Sequence, residues 1–165
     1  MVEVSVAHLG VERTTNTPIV VLREKGGARV IPIYIGHAEA NAIAMELADV
    51  KFGRPLTHDL LRQVIIGLGA ELSRVVVTRV EKSTYYAELE LRRDDHIIQI
   101  DARPSDSIAI ALRLKAPIFT SEDLLELASS DHPTAQDVSS ESLNSEALKR
   151  YLENLDPEDF GKFTQ

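Results

Sequence analysis

Apolar and polar positions alternate at the start of the chain. Val2, Val4 and Val6 fall on one side of an extended backbone, and Val11 follows, so residues 2–13 are expected to form a strand. Thr14 to Pro18 breaks the pattern as a loop. Ile19 to Leu22 is a short buried strand, and Lys25-Gly26-Gly27 is a hairpin turn. Arg29 to Ile35 returns as a third strand whose Pro32 points to an edge or a bulge. Residues 73–81 and 84–93 form a second set. In the latter, Tyr85, Ala87, Leu89 and Leu91 alternate with Tyr86, Glu88, Glu90 and Arg92, one face buried and one wet. Asp94-Asp95 turns that strand into His96 to Asp101.

Between and after these strands the period lengthens to that of a helix. The first helix is predicted over about 37–51, with Ile43, Leu47 and Val50 as its apolar stripe and Glu39, Glu46 and Asp49 on a carboxylate face. The second covers about Leu56 to Leu68, with Thr57 as N-cap and Leu60, Leu61, Val64, Ile65 and Leu68 toward the core. The third, about 104–115, is apolar nearly all round. Such a helix is sandwiched, against the sheet or against a second subunit, and Pro104 suits its N1 position. Ala116 to Phe119 is a short extended piece, and Ser121 caps a last helix over Glu122 to Ala128. The order is three strands, two helices, three strands, then helices, without βαβ alternation. It predicts an α+β fold: a mixed, mostly antiparallel sheet packed against helices, with a C-terminal helical tail.

The Ser-, Asp- and Pro-rich stretch 129–142 reads as a linker, so the expected organisation is a domain over 1–128, the linker, and an amphipathic acidic tail over 143–165. Leu148, Tyr151, Leu152 and Leu155 share one stripe of that tail. Charge sharpens the division. Residues 1–120 carry 15 Lys and Arg against 15 Asp and Glu; residues 121–165 carry 3 against 11, the whole net charge of −8. A broad basic platform for nucleic acid is absent, so a polyanion would have to be held by a few arginines in a cleft. With no Cys, disulfides, thiolate zinc sites and thiol catalysis are excluded. No apolar run reaches the ~18 residues of a membrane span, and the N-terminus has no signal-peptide pattern. The expectation is a cytoplasmic protein with no membrane association.

Chemistry concentrates in two look-alike segments, Arg54-Pro55-Leu56-Thr57-His58-Asp59 and Arg103-Pro104-Ser105-Asp106. Each sets an Arg-Pro step, a hydroxyl and a carboxylate at the start of a helix. An arginine fork beside free helical N–H groups suits a phosphate. Arg54, Thr57, Arg103 and Ser105 are therefore candidate substrate-binding residues. His58 on the first turn of a helix is a candidate acid or base, and Asp59, Asp106 and Glu39 are candidate catalytic carboxylates. Asp106 with Glu39 or Asp59 could hold Mg²⁺ or Mn²⁺, which favour carboxylate and water ligands. Structural alternatives stand beside each role: Arg103 bridging to Asp59 or Asp106, Asp59 paired with Arg62, and Glu46 and Asp49 as the wet side of their helix. No two histidines have the i, i+4 spacing of a helical zinc site, so zinc is not expected, and no Walker or G-x-G-x-x-G loop is present.

In order and spacing, Gly36-His37-Ala38-Glu39-Ala40, Arg54 to Leu61, Tyr85-Tyr86-Ala87 and Asp101-Ala102-Arg103-Pro104-Ser105-Asp106-Ser107-Ile108-Ala109 resemble the bifunctional nuclease domain family, across about residues 1–128. Leu152 to Phe160 also resembles the ending of bacterial members. The resemblance implies an α+β fold, a homo-oligomer, and a nuclease acting on DNA and RNA. The reading of the sequence is a metal-assisted phosphodiesterase. Its rival is a non-catalytic oligomeric binding or regulatory module, whose Arg-Pro and Asp clusters form an interface network.

Overall fold

Two three-stranded meanders make up most of the sheet. β1 (Val2–Val11), β2 (Pro18–Glu24) and β3 (Val30–Tyr34) form one; β4 (Glu71–Glu81), β5 (Thr84–Arg93) and β6 (His96–Ala102) form the other. β7 (Ile118–Thr120) joins them, antiparallel to β1 and parallel to β4, giving the order β3-β2-β1-β7-β4-β5-β6. The computed structural model describes residues 1–12 and 14–131, with the Asp131 side chain excepted. The fold is α+β with a mixed, mostly antiparallel sheet, as its sequence pattern predicts. Pro32 lies on β3, an edge strand that needs no further N–H partner.

Among the described residues the sheet is accompanied by four helices: α1 (His37–Leu47), α2 (Thr57–Gly67), α3 (Pro104–Leu114) and α4 (Glu122–Asp131). α3 runs over β4 and β5 with α1 on one flank and α2 on the other, while α4 packs toward β3 and β4. Ile108, Ala109, Ile110 and Ala111 of α3 join Val75, Val77 and Leu89 of the sheet and Ile43 of α1 in the main core. The all-round apolar character of α3 is thus explained within one chain, since it has the sheet below and a helix on either side.

Several expected details differ. α1 ends at Leu47, not near residue 51; Ala42, Ile43, Ala44 and Met45 are its buried residues, and Leu47 is exposed. α2 is capped differently. Its N-cap is Leu56, and the Asp59 carboxylate accepts the Leu56 N–H at 3.0 Å, so Thr57 is the first helical residue and not the cap. The larger departure is the stripe of α2. Only Ile65 is buried, whereas Leu60, Leu61, Val64 and Leu68 are 39 to 63% exposed. α4 continues through Asp131, three residues into the stretch read as linker. The remaining linker and the tail helix at 143–155 lie outside the described residues.

Candidate functional site

The first turns of α1, α2 and α3 meet in one chain of polar contacts. Asp106 Oδ1 lies 2.9 Å from His58 Nε2, and Asp106 Oδ2 accepts from Arg103 Nε at 2.6 Å. The same guanidinium reaches Glu39 Oε1 through Nη2 at 2.8 Å. Glu39, Arg103, Asp106 and His58, drawn from three helices, form a continuous line.

Local sequence sets up each member. Arg103 is the N-cap of α3 with extended backbone angles (φ −70, ψ 143), the region favoured for a residue before proline, and Pro104 begins the helix. Ser107 Oγ donates to the Arg103 carbonyl at 2.9 Å and fixes that turn. Gly36 caps α1, and a Cβ there would collide with the Glu39 carboxylate. The glycine therefore lets Glu39 fold back over its own helix start toward Arg103.

Burial raises the Asp106 pKa, but hydrogen bonds from Arg103 and His58, with their charges, outweigh it and hold the carboxyl below its ordinary value. The Arg103 pKa is raised, chiefly by its bond to Asp106. Asp106 is therefore an anion at neutral pH, and an anion bonded to Nε2 leaves Nδ1 as the imidazole's other proton-exchanging atom. The His58 side chain is 13% exposed, while that of Arg103 is 66% exposed.

Arg103 also opens onto a cleft of about 420 Å³ between the β1–β2 loop, the end of β3, the β4–β5 turn and the starts of α1 and α3. Thr17, Tyr34, Thr84, Tyr85 and Ser105 contribute hydroxyls to its lining, and Arg103 is its cation. The β4–β5 turn reaches the cleft through Ser83; Lys82 and Ser83 are both at positive φ (48 and 62), the conformation a tight two-residue hairpin requires.

Not every expected residue joins this group. Asp59 pairs with Arg113 of α3 at 2.7 Å instead of Arg62, and together with its bond to Leu56 this makes it a fastening between α2 and α3. Burial raises its pKa, but the bonds from Arg113 and the Leu56 N–H carry it below the usual carboxylate range. Asp101 sits on the sheet face turned away from the helices, opposite Glu88. Glu46 pairs with Lys51 at 2.8 Å, and the exposed Asp49 reaches the same lysine at 3.4 Å. Thr57 lies one residue before His58 on α2, and Arg54 on the loop before it; neither belongs to the line of contacts. Among the described residues no three His, Asp or Glu side chains gather, and Arg103 stands between the carboxylates of Glu39 and Asp106. Sequence reasoning passed over Arg113, although a lone cation in an apolar helix signals a buried partner. It also passed over Thr17, Tyr34 and Thr84, whose loops are joined only by the fold.

The fold and site define a class: an α+β domain that presents an arginine and a His–Asp pair at converging helix starts, with the arginine lining a cleft of hydroxyl-bearing residues. Residues 20–133 match the bifunctional nuclease domain, and the chain belongs to that family. It is similar to an uncharacterized protein of Mycobacterium tuberculosis, 41% identical over 97% of this chain and 98% of that protein. It is also similar to bifunctional nuclease 2 of Oryza sativa subsp. japonica, at 33% identity, and to bifunctional nuclease 1 of Arabidopsis thaliana, at 30%. In both of those cases 61% of this chain aligns with 32% of the plant protein. Among the described residues no helix is long and apolar enough to cross a membrane.

Proposed function

We propose that the protein is a nuclease hydrolysing phosphodiester bonds of DNA or RNA, with Arg103 and the His58–Asp106 pair as its working groups. The observation that carries this reading is the bonded line His58–Asp106–Arg103 ending at the cleft, in a chain of this family. The exposed Arg103 fork exchanges its carboxylates for the phosphate and faces the charge that grows on the phosphoryl oxygens. His58 accepts the proton of the attacking water, and the ionised Asp106 stabilises the imidazolium that results. That proton then returns to the leaving oxygen. Ser105 and the lining hydroxyls orient the strand, and Arg54 and Thr57 stand within the same helix-start region for the flanking backbone. The residues around Arg103 supply no step through a metal ion, so the metal is a variable of the assay.

The rival reading, a non-catalytic module, draws on one observation: every carboxylate of the line is already bonded to a cationic or imidazole partner, as in a purely structural clasp. Cleavage of single-stranded RNA and double-stranded DNA, each with Mg²⁺, Mn²⁺ or EDTA, separates the two. His58→Ala and Asp106→Asn should lower the rate by roughly 10²–10⁴-fold with unchanged circular dichroism. Rates equal to the parent would remove the pair from catalysis. No cleavage by the parent under any condition would leave the binding module.

A further inference from the structure

The fold uses the tyrosines among the described residues in different ways. The Arg79 guanidinium sits over the ring of Tyr86, 4.1 Å from its centre. Tyr85 packs in part against the main core. Tyr34, the last residue of β3, is 52% exposed, and among the described residues neither a hydrogen bond nor a ring contact holds its side chain. Tyr34 and Tyr85 both line the cleft onto which Arg103 opens. An aromatic ring left open beside a cation is the combination that holds single-stranded nucleic acid, by stacking on a base while the cation takes a phosphate.

The rest of the lining decides what the cleft can take. Thr17, Ser83, Thr84 and Ser105 bring hydroxyls, which can donate or accept. Arg103 is the charged residue of the lining, and no carboxylate belongs to it. That balance fits one phosphate with an uncharged, flat-faced group beside it. At about 420 Å³ the cleft falls in the lower part of the roughly 300–1,000 Å³ range of small-ligand sites. It has room for one nucleotide and none for two paired strands. In a duplex the phosphates face outward and the bases are stacked inside. A paired strand can offer Arg103 a phosphate, but it leaves Tyr34 empty. An unpaired nucleotide can fill both.

We infer that the cleft holds one unpaired nucleotide of the substrate, its phosphate on Arg103 and its base against Tyr34, and that Tyr34 sets a preference for single-stranded over double-stranded regions. This rests on the nuclease reading above. Tyr34 takes no part in the chemistry; it determines specificity. Its contact with the base is the same in the ground state and the transition state, so it acts on KM and leaves kcat alone. Stacking uses the face that every base has, so the preference is for an unpaired base and not for a particular one.

An RNA hairpin with an unpaired loop presents both states in one molecule. The full-length parent should cut the loop roughly 10-fold or more faster than the stem, the worth of one stacked base. Tyr34→Phe should keep that ratio. Tyr34→Ala, folded by circular dichroism, should lose it through a higher KM on the loop at unchanged kcat. Equal cutting of loop and stem by the parent overturns the inference, and so does a folded Tyr34→Ala with the parent's ratio. Calorimetric titration tests the same contact without cleavage. Adenosine 5′-monophosphate should bind roughly 10-fold tighter than ribose 5-phosphate, which has the phosphate and no base, and Tyr34→Ala should erase the difference. The two arms separate this inference from the reading beneath it. A preference for the base that depends on Tyr34, in a protein that cleaves no substrate, supports the subsite and ends the nuclease reading. Cleavage by a protein that binds the two phosphates equally ends the subsite and leaves the nuclease reading standing.

Discussion

Asp59 and Asp106 look interchangeable in sequence, each an acid at the start of a helix, and the structure separates them by their cations. Asp106 meets an exposed arginine and a histidine; Asp59 meets Arg113, whose side chain is only 4% exposed. Arg113 also donates to the Ala109 carbonyl at 2.9 Å, so its charge is fixed inside the helix layer. Removing the acid strands that cation, whereas removing the cation leaves an acid one-third exposed that water can reach. Asp59→Ala should therefore cost about 3 kcal/mol, including the lost helix cap, and Arg113→Met about 1 kcal/mol; urea denaturation at neutral pH compares them. The same pairs set the acid limit. Both carboxyls have folded pKa values below their ordinary ones, so they bind protons more weakly folded than unfolded. Their contribution is complete above the unfolded value, about 3.9, and is lost as pH falls through the folded values. Stability should hold from neutral pH to about 4 and then drop. Asp59→Ala should drop less steeply, and an equal slope would show that Asp59 is not a source of the loss.

At the scale of elements, strands were the most legible part of the sequence. The alternation at 84–93 marks β5 and its wet face because a period of two needs no tertiary information. β7 was read only as an extended piece, although it is central to the sheet. Three residues carry no periodicity, and its partners, Val2 to Val4 and Val75 to Val77, are remote in sequence. The α2 stripe was legible as apolar, but a stripe says only that something covers it, not that the same chain does. The site divides the same way. Arg103 with Asp106 is a contact within one helical turn, visible in the sequence, while Glu39 and His58 reach them only because three helix starts converge. Helix ends left one local conflict. α3 stops at Lys115 in the left-handed region (φ 55, ψ 34), where a side chain is strained and glycine is the usual residue. Lys115 is exposed, so Lys115→Gly should stabilise the fold by roughly 0.5–1 kcal/mol, the relief of strain exceeding the added chain entropy. A lowered urea midpoint would mean that the lysine makes a compensating contact.

The charge of the whole chain is uneven: residues 1–120 balance, and residues 121–165 carry the net −8. A polyanion that approaches Arg103 meets long-range repulsion from that excess, and salt screens it. Salt also competes with phosphate for the arginine, and this second effect grows steadily with concentration. Cleavage held at Arg103 should therefore rise between very low and moderate salt and fall beyond that, measured as the initial rate on single-stranded RNA at fixed substrate. A rate that falls from the lowest salt onward would show that the acidic excess is not felt at the site.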